Sequence, residues 1–199
     1  MRPDPNREMM RQVALQLGDL TEQLVFVGGV TAGLLITDPG APTVRPTQDV
    51  DVIAVIESHT DYYRLSELLR QRGFSEDRSE GAPMCRWISG GWQLDVMPTD
   101  ESILGFSNRW YALAASTAET MELDGDIKIK VITAPCFIAT KLEAFHGRGQ
   151  GDYLESHDLE DIIAVIEGRP EILTECAAAS AELQSYLKVE LFKLMKKDA

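Results

Sequence analysis

The feature that most constrains this fold is a change of hydrophobic period near residue 134. Before it, short apolar runs bounded by glycine and proline alternate with amphipathic stretches. From Pro135 onward, apolar residues recur every three to four positions almost without a break. A chain that mixes strand and helix patterns first and ends in helices belongs to the α+β class. We expect a small mixed β-sheet flanked by helices over residues 1–134, including an N-terminal helix. A helical C-terminal region, residues 135–199, should pack on that core. The 199 residues suffice for one well-buried core.

Within the first part, "REMMRQVALQLGDLTEQL" places Met10, Val13, Leu17, Leu20 and Leu24 at helical spacing. "LVFVGG" reads as a short buried strand ending in glycines, with a short helix, "VTAGLLIT", directly after it. The proline-rich "DPGAPTVRP" can be neither helix nor central strand. "DVDVIAVI" is then a second strand, and "DYYRLSELLRQRG" a helix stopped at Gly73. "MCRWIS" and "WQLDVMP", joined by Gly90 and Gly91, form a hairpin pattern. Residues 103–117 fit neither period cleanly, and "AETMEL" and "IKIKVIT" are further strands around a "DGD" turn.

The second strand carries two carboxylates, Asp49 and Asp51. Residues two apart on a strand share a face, with Cα atoms roughly 6.5 Å apart. Their repulsion in a half-buried place is relieved when they share a hard divalent cation. Asp95, between Leu94 and Val96, sits in a similar strand setting. Three such carboxylates can hold two magnesium ions about 4 Å apart, aligning a hydroxyl with a triphosphate. By itself D-x-D reads equally as a solvated strand edge. Gly28 and Gly29, between strand and helix, are compatible with a tight turn, and equally with backbone amides opened to phosphate oxygens. They form neither a dinucleotide fingerprint nor a P-loop, because Val30 and Leu34–Leu35 stand where those motifs need other residues.

In this order (strand, glycine pair, helix, loop, D-x-D strand, later strand aspartate) the chain resembles the DNA polymerase β-like nucleotidyltransferase superfamily. Gly29 stands where a serine is frequent, and the gap from Gly29 to Asp49 is on the long side. In "KLEAFHGRGQGDYLESHDLEDIIAVI", Lys141, Ala144 and Arg148 on one helix and Asp158 and Asp161 on the next resemble segments of AbiEii-type nucleotidyltransferases. These are associated with toxin components of toxin-antitoxin or phage-defence systems. The resemblance spans residues 25 to about 166. It implies a magnesium-dependent enzyme that transfers NMP from an NTP to a hydroxyl, with RNA, tRNA included, as the acceptor relatives suggest and an antitoxin as partner.

By the same resemblance Asp49, Asp51 and Asp95 are metal ligands and catalytic. Lys141 binds the triphosphate, and Arg148, two turns further along, pairs with phosphate or with Asp158. Asp158 is a second essential acid that takes the acceptor's proton; as an acid in the first turn of a helix capped by Ser156, it equally complements the helix dipole. His157 reads as a surface residue, and Asp161 as support for its helix or for Arg148.

With 32 acidic and 19 basic residues the net charge is −13, which opposes attraction to a phosphate backbone. An RNA acceptor therefore requires a local basic channel or a basic partner. Transfer to a small molecule or a protein hydroxyl, and a catalytically silent nucleotide-binding module of the same fold, are the competing readings. Three scattered cysteines suggest neither disulfides nor zinc. With no signal peptide and no membrane-length apolar run, the expectation is a cytoplasmic protein.

Overall fold

The computed structural model describes residues 4–123, 125, 127–148, 153 and 155–196, with Arg148 described in its backbone alone. Helix α1 (Arg7–Leu17) gives way at Gly18 to a 3-10 segment, Gly18–Gln23, that leads into β1 (Leu24–Val27). The expected single helix over this region is thus two segments. A 3-10 turn, Gly29–Thr31, and the one-turn α2 (Ala32–Leu35) follow β1. The long loop then returns the chain to β2 (Asp49–Ala54). Helix α3 (His59–Gln71) starts at Ser58, whose hydroxyl accepts the Asp61 N–H at 3.2 Å, and runs to β3 (Ser75–Glu76).

The hairpin of β4 (Arg86–Ser89) and β5 (Trp92–Pro98) turns on Gly90 and Gly91, at φ 57° and 89°. Two consecutive positive φ values match the tight two-residue turn that follows the strands' twist, and glycine meets them without strain. The stretch that fitted neither period holds two short helices, α4 (Glu101–Leu104) and α5 (Tyr111–Ser116). Strands β6 (Glu119–Glu122) and β7 (Lys128–Val131) follow as an antiparallel pair. Four helices complete the described residues: α6 (Ala134–Arg148), α7 (His157–Gly168), α8 (Ile172–Ala178) and α9 (Ala181–Lys196).

The seven strands among the described residues form one mixed sheet in the order β3-β4-β5-β2-β1-β7-β6. β2 and β5 pair in parallel, as do β1 and β7; the remaining pairs are antiparallel. In the β2/β5 register Val50 faces Leu94 and Val52 faces Val96, and all four are buried. The intervening pair, Asp51 and Asp95, therefore projects together from the other face. The buried apolar cluster runs from Met9 in α1 through the sheet to Leu183 and Leu187 in α9. This α+β arrangement of a mixed sheet with helices flanking and following it agrees with the sequence expectation. No helix among the described residues is long and apolar enough to cross a membrane.

Candidate functional site

The register that aligns Asp51 with Asp95 places Asp49 one pleat away on the same face. One carboxylate oxygen from each of the three lies within 4.8 Å of the others. Asp49 and Asp51 are half-buried, whereas Asp95 is 6% exposed. The donor set consists of oxygens alone, the chemistry that magnesium and similar hard cations select. The backbone beside it is shaped to match: a Cβ on Gly28 would lie 1.9 Å from Asp51 Oδ2. Gly28 adopts φ 71° and ψ −172°, a conformation restricted almost entirely to glycine. So Gly28 gives the Asp51 carboxylate room, while a Cβ on Gly29 would crowd Arg45 Nη2 at 2.7 Å and Asp161 Oδ2 at 2.9 Å instead. The helix behind Gly29 is only a 3-10 turn and one turn of α2, too short to add much dipole.

A fourth group joins the carboxylates. Arg86 on β4 is in register with Asp95. Its Nε donates to Asp95 Oδ1 at 2.8 Å, and its Nη2 donates to Asp95 Oδ2 at 2.7 Å and to Asp49 Oδ2 at 2.9 Å. The hydrogen bonds to Asp95, set against a smaller opposing effect of burial, raise the guanidinium well above its ordinary value. Next door, burial above all, and then the charges of Asp95 and Asp51, push the Cys85 thiol up to about 12. Cys85, itself buried, accordingly keeps its proton at ordinary pH.

The helical half contributes a second charged cluster. Lys141 Nζ lies 3.0 Å from Asp158 Oδ1 and 2.7 Å from Asp161 Oδ2. Arg45, from the loop before β2, makes a two-pronged contact with Asp161 at 2.8 and 2.9 Å. Burial, the largest single influence, disfavours the charge on Arg45, yet the hydrogen bond and charge of Asp161, with the charges of Glu160 and Asp158, together raise its guanidinium above the ordinary value. Lys141, Asp158 and Asp161 are 6%, 6% and 2% exposed, so these are desolvated pairs whose partners depend on one another. Asn6 holds the Arg45 loop from the far side: its amide donates to the Arg45 carbonyl at 3.0 Å and its Oδ1 accepts the Thr47 N–H at 2.8 Å.

Between the two clusters lies an open cleft of about 780 Å3, lined on one wall by Arg45, Thr47 and Asp49 and on the other by Glu155, His157, Asp158 and Glu160. Asp158 follows Ser156, whose hydroxyl accepts the Leu159 N–H at 3.3 Å, so the capping reading of this segment is met as well. His157 is exposed and lies 3.4 Å from Glu160. Lys141 does not line the cleft; to meet a phosphate, its ammonium must leave Asp158 or Asp161. Asp161 supports Arg45 and Lys141, and the side chain of Arg148, its expected partner, lies outside the described residues.

Sequence reasoning singled out neither Arg45 nor Arg86. The signal for Arg86 was its place on the hairpin: counting back across the Gly90–Gly91 turn puts it opposite Asp95. Nothing local marks Arg45, whose partner is 116 residues away.

No family model matches the chain, and no curated protein matches it in sequence. Among solved structures, an antigenic nucleotidyltransferase-like protein from Paracoccidioides brasiliensis is similar at a TM-score of 0.59 and 24% identity, over 94% of this chain and 88% of that one. The antibiotic-resistance factor ANT(2'')-Ia is similar at a TM-score of 0.53 and 12% identity, over 95% of this chain and 92% of that one. At these identities what is shared is the fold, the mixed sheet with its flanking helices.

Proposed function

We propose that the chain is a divalent-metal-dependent nucleotidyltransferase that moves NMP from an NTP to a hydroxyl. The observation that carries this reading is the convergence of Asp49, Asp51 and Asp95 within 4.8 Å, with Asp49 lining a cleft that Asp158 also lines. Two structural neighbours named for nucleotidyl transfer or antibiotic resistance support it at the level of fold. Magnesium held by the three carboxylates would supply charge neutralisation on the triphosphate. The protein's own groups do the rest. Gly28 leaves the space in which Asp51 stands, Arg86 fixes Asp95 and Asp49, and Asp158 accepts the acceptor's proton. As the acceptor oxygen bonds to the α-phosphorus, the bond to the β-phosphate oxygen breaks and pyrophosphate leaves with the electron pair.

The cleft also bears on the acceptor. Asp49, Glu155, Asp158 and Glu160 line it, and among its described lining residues Arg45 is the one lysine or arginine. Together with a net charge of −13, this field favours a cationic small molecule with free hydroxyls over RNA. The family resemblance supports the other reading, an RNA acceptor such as tRNA with an antitoxin-like partner bringing positive charge. Incubation with each α-labelled NTP and magnesium, in parallel with total RNA and with a panel of polyamine-bearing hydroxyl compounds, separates the two by where the label goes. Asp49→Ala combined with Asp51→Ala should abolish transfer to either; undiminished labelling in that variant would overturn the assignment.

A further inference from the structure

Two of the three carboxylates that would ligate a cation already hold an arginine. Arg86 occupies both oxygens of Asp95 and one of Asp49 at 2.7–2.9 Å. Its side chain is 19% exposed and its backbone is fixed in the β4/β5 ladder, so it stands beside any ion bound there. Three carboxylates and one guanidinium leave two formal negative charges, which one divalent cation balances. A second ion has to bring compensating oxygens with it.

We propose that Arg86 is a built-in competitor for the divalent cation. It positions Asp49 and Asp95 while the cation is absent and weakens the cation's hold on the triad, so that firm loading requires the phosphate oxygens of a nucleoside triphosphate. The proposal rests on reading the triad as the metal centre of nucleotide transfer. A carboxylate oxygen has lone pairs enough to meet both partners, so the competition is chiefly electrostatic: a guanidinium within one ligand's width of a dication repels it where water screens poorly. A purely structural Arg86 has the opposite signature, because its removal would let Asp95 wander and loosen metal binding.

The test is Mn2+ binding to the full chain at pH 7.5, followed by electron paramagnetic resonance of the free ion, for wild type, Arg86→Gln and Arg86→Lys. Each is measured with MnCl2 alone and with a non-hydrolysable NTP analogue, and thermal melts verify folding. Without nucleotide, Arg86→Gln should bind Mn2+ about tenfold or more tightly than wild type. Arg86→Lys, which keeps the charge but cannot span two carboxylates, should bind about threefold more tightly. The analogue should tighten Mn2+ binding far more in wild type than in Arg86→Gln. Should Arg86→Gln fail to fold, the Arg86→Lys comparison decides by the same sign. A folded variant that binds Mn2+ no better than wild type overturns the proposal while leaving the transferase reading intact. Folded wild type and variants that all ignore Mn2+ overturn both.

Discussion

Replacing Gly28 with alanine tests the cradle at its narrowest point. The added Cβ would stand 1.9 Å from Asp51 Oδ2, 2.7 Å from its Cγ and 2.9 Å from its Cβ. Because the Asp51 Cβ is itself too close, turning that side chain to another rotamer does not relieve the clash, and β2 has to shift. Restoring van der Waals distance moves the carboxylate by about 1.5 Å. The backbone adds its own cost, since φ 71° with ψ −172° is strained for any residue with a Cβ, by about 1–3 kcal/mol. We therefore expect Gly28→Ala to lose about 2–4 kcal/mol in urea unfolding yet remain folded. On the proposed reading Asp51 is a metal ligand, and its displacement by more than an ångström should lower nucleotide transfer by about a hundredfold or more at saturating metal. Initial rates of label transfer, measured beside the urea transition, decide the matter. A variant that transfers within threefold of wild type and loses under about 0.5 kcal/mol would refute the reasoning.

Lys141→Met removes the cation shared by Asp158 and Asp161 in a desolvated setting, and urea denaturation should show a loss of about 3–5 kcal/mol, with part recovered when Asp158→Asn is added. Cys85 gives a pH signature: the folded thiol holds its proton up to about 12 whereas the unfolded one releases it near 9. Its contribution is therefore complete below pH 9 and lost as pH rises toward 12, so the alkaline fall in melting temperature should be shallower in Cys85→Ala than in wild type. Gly168→Ala would put a Cβ 2.6 Å from Ile36 Cγ2 and 3.2 Å from the Ala41 Cβ, where the Gly168 carbonyl accepts the N–H groups of Thr37 and Asp38. Thermal melts should register about 1–3 kcal/mol of destabilisation, with Mn2+ affinity unchanged.

Much of this architecture is legible along the chain because it is written in short-range terms. Alternation in "DVDVIAVI" and "WQLDVM" fixes which residues face outward, and the Gly90–Gly91 turn sets the β4/β5 register. Elements decided by tertiary contact are harder to read. The helix expected through residue 23 changes character at Gly18, and the two-residue β3 exists only as a partner for β4. The last helical stretch divides at Ala179, which is extended, before Ser180 accepts the Leu183 N–H and starts α9. In the site, the three aspartates could be grouped from pattern because each lies on a strand. Arg86 and Arg45 escaped because an arginine announces nothing until its partner is known, and each partner is set by strand pairing or by a helix arriving from a distant part of the chain. Lys141 was legible as a cation on α6, while its enclosure by Asp158 and Asp161 was not, since that depends on how α6 and α7 pack.

The links from Asn6 to the Arg45 loop, from Arg45 to Asp161, and from Asp161 through Lys141 to Asp158 join four separate stretches of chain. Anyone building chimaeras should treat them as one inheritable unit. Exchanging residues after 134 for the helices of a relative would strand Arg45 without its carboxylate unless the donor also supplies an acid at the position of Asp161. On the proposed reading, a change in acceptor preference is more accessible through Glu155 and Glu160, exposed residues of the cleft wall, than through wholesale replacement of the helical half.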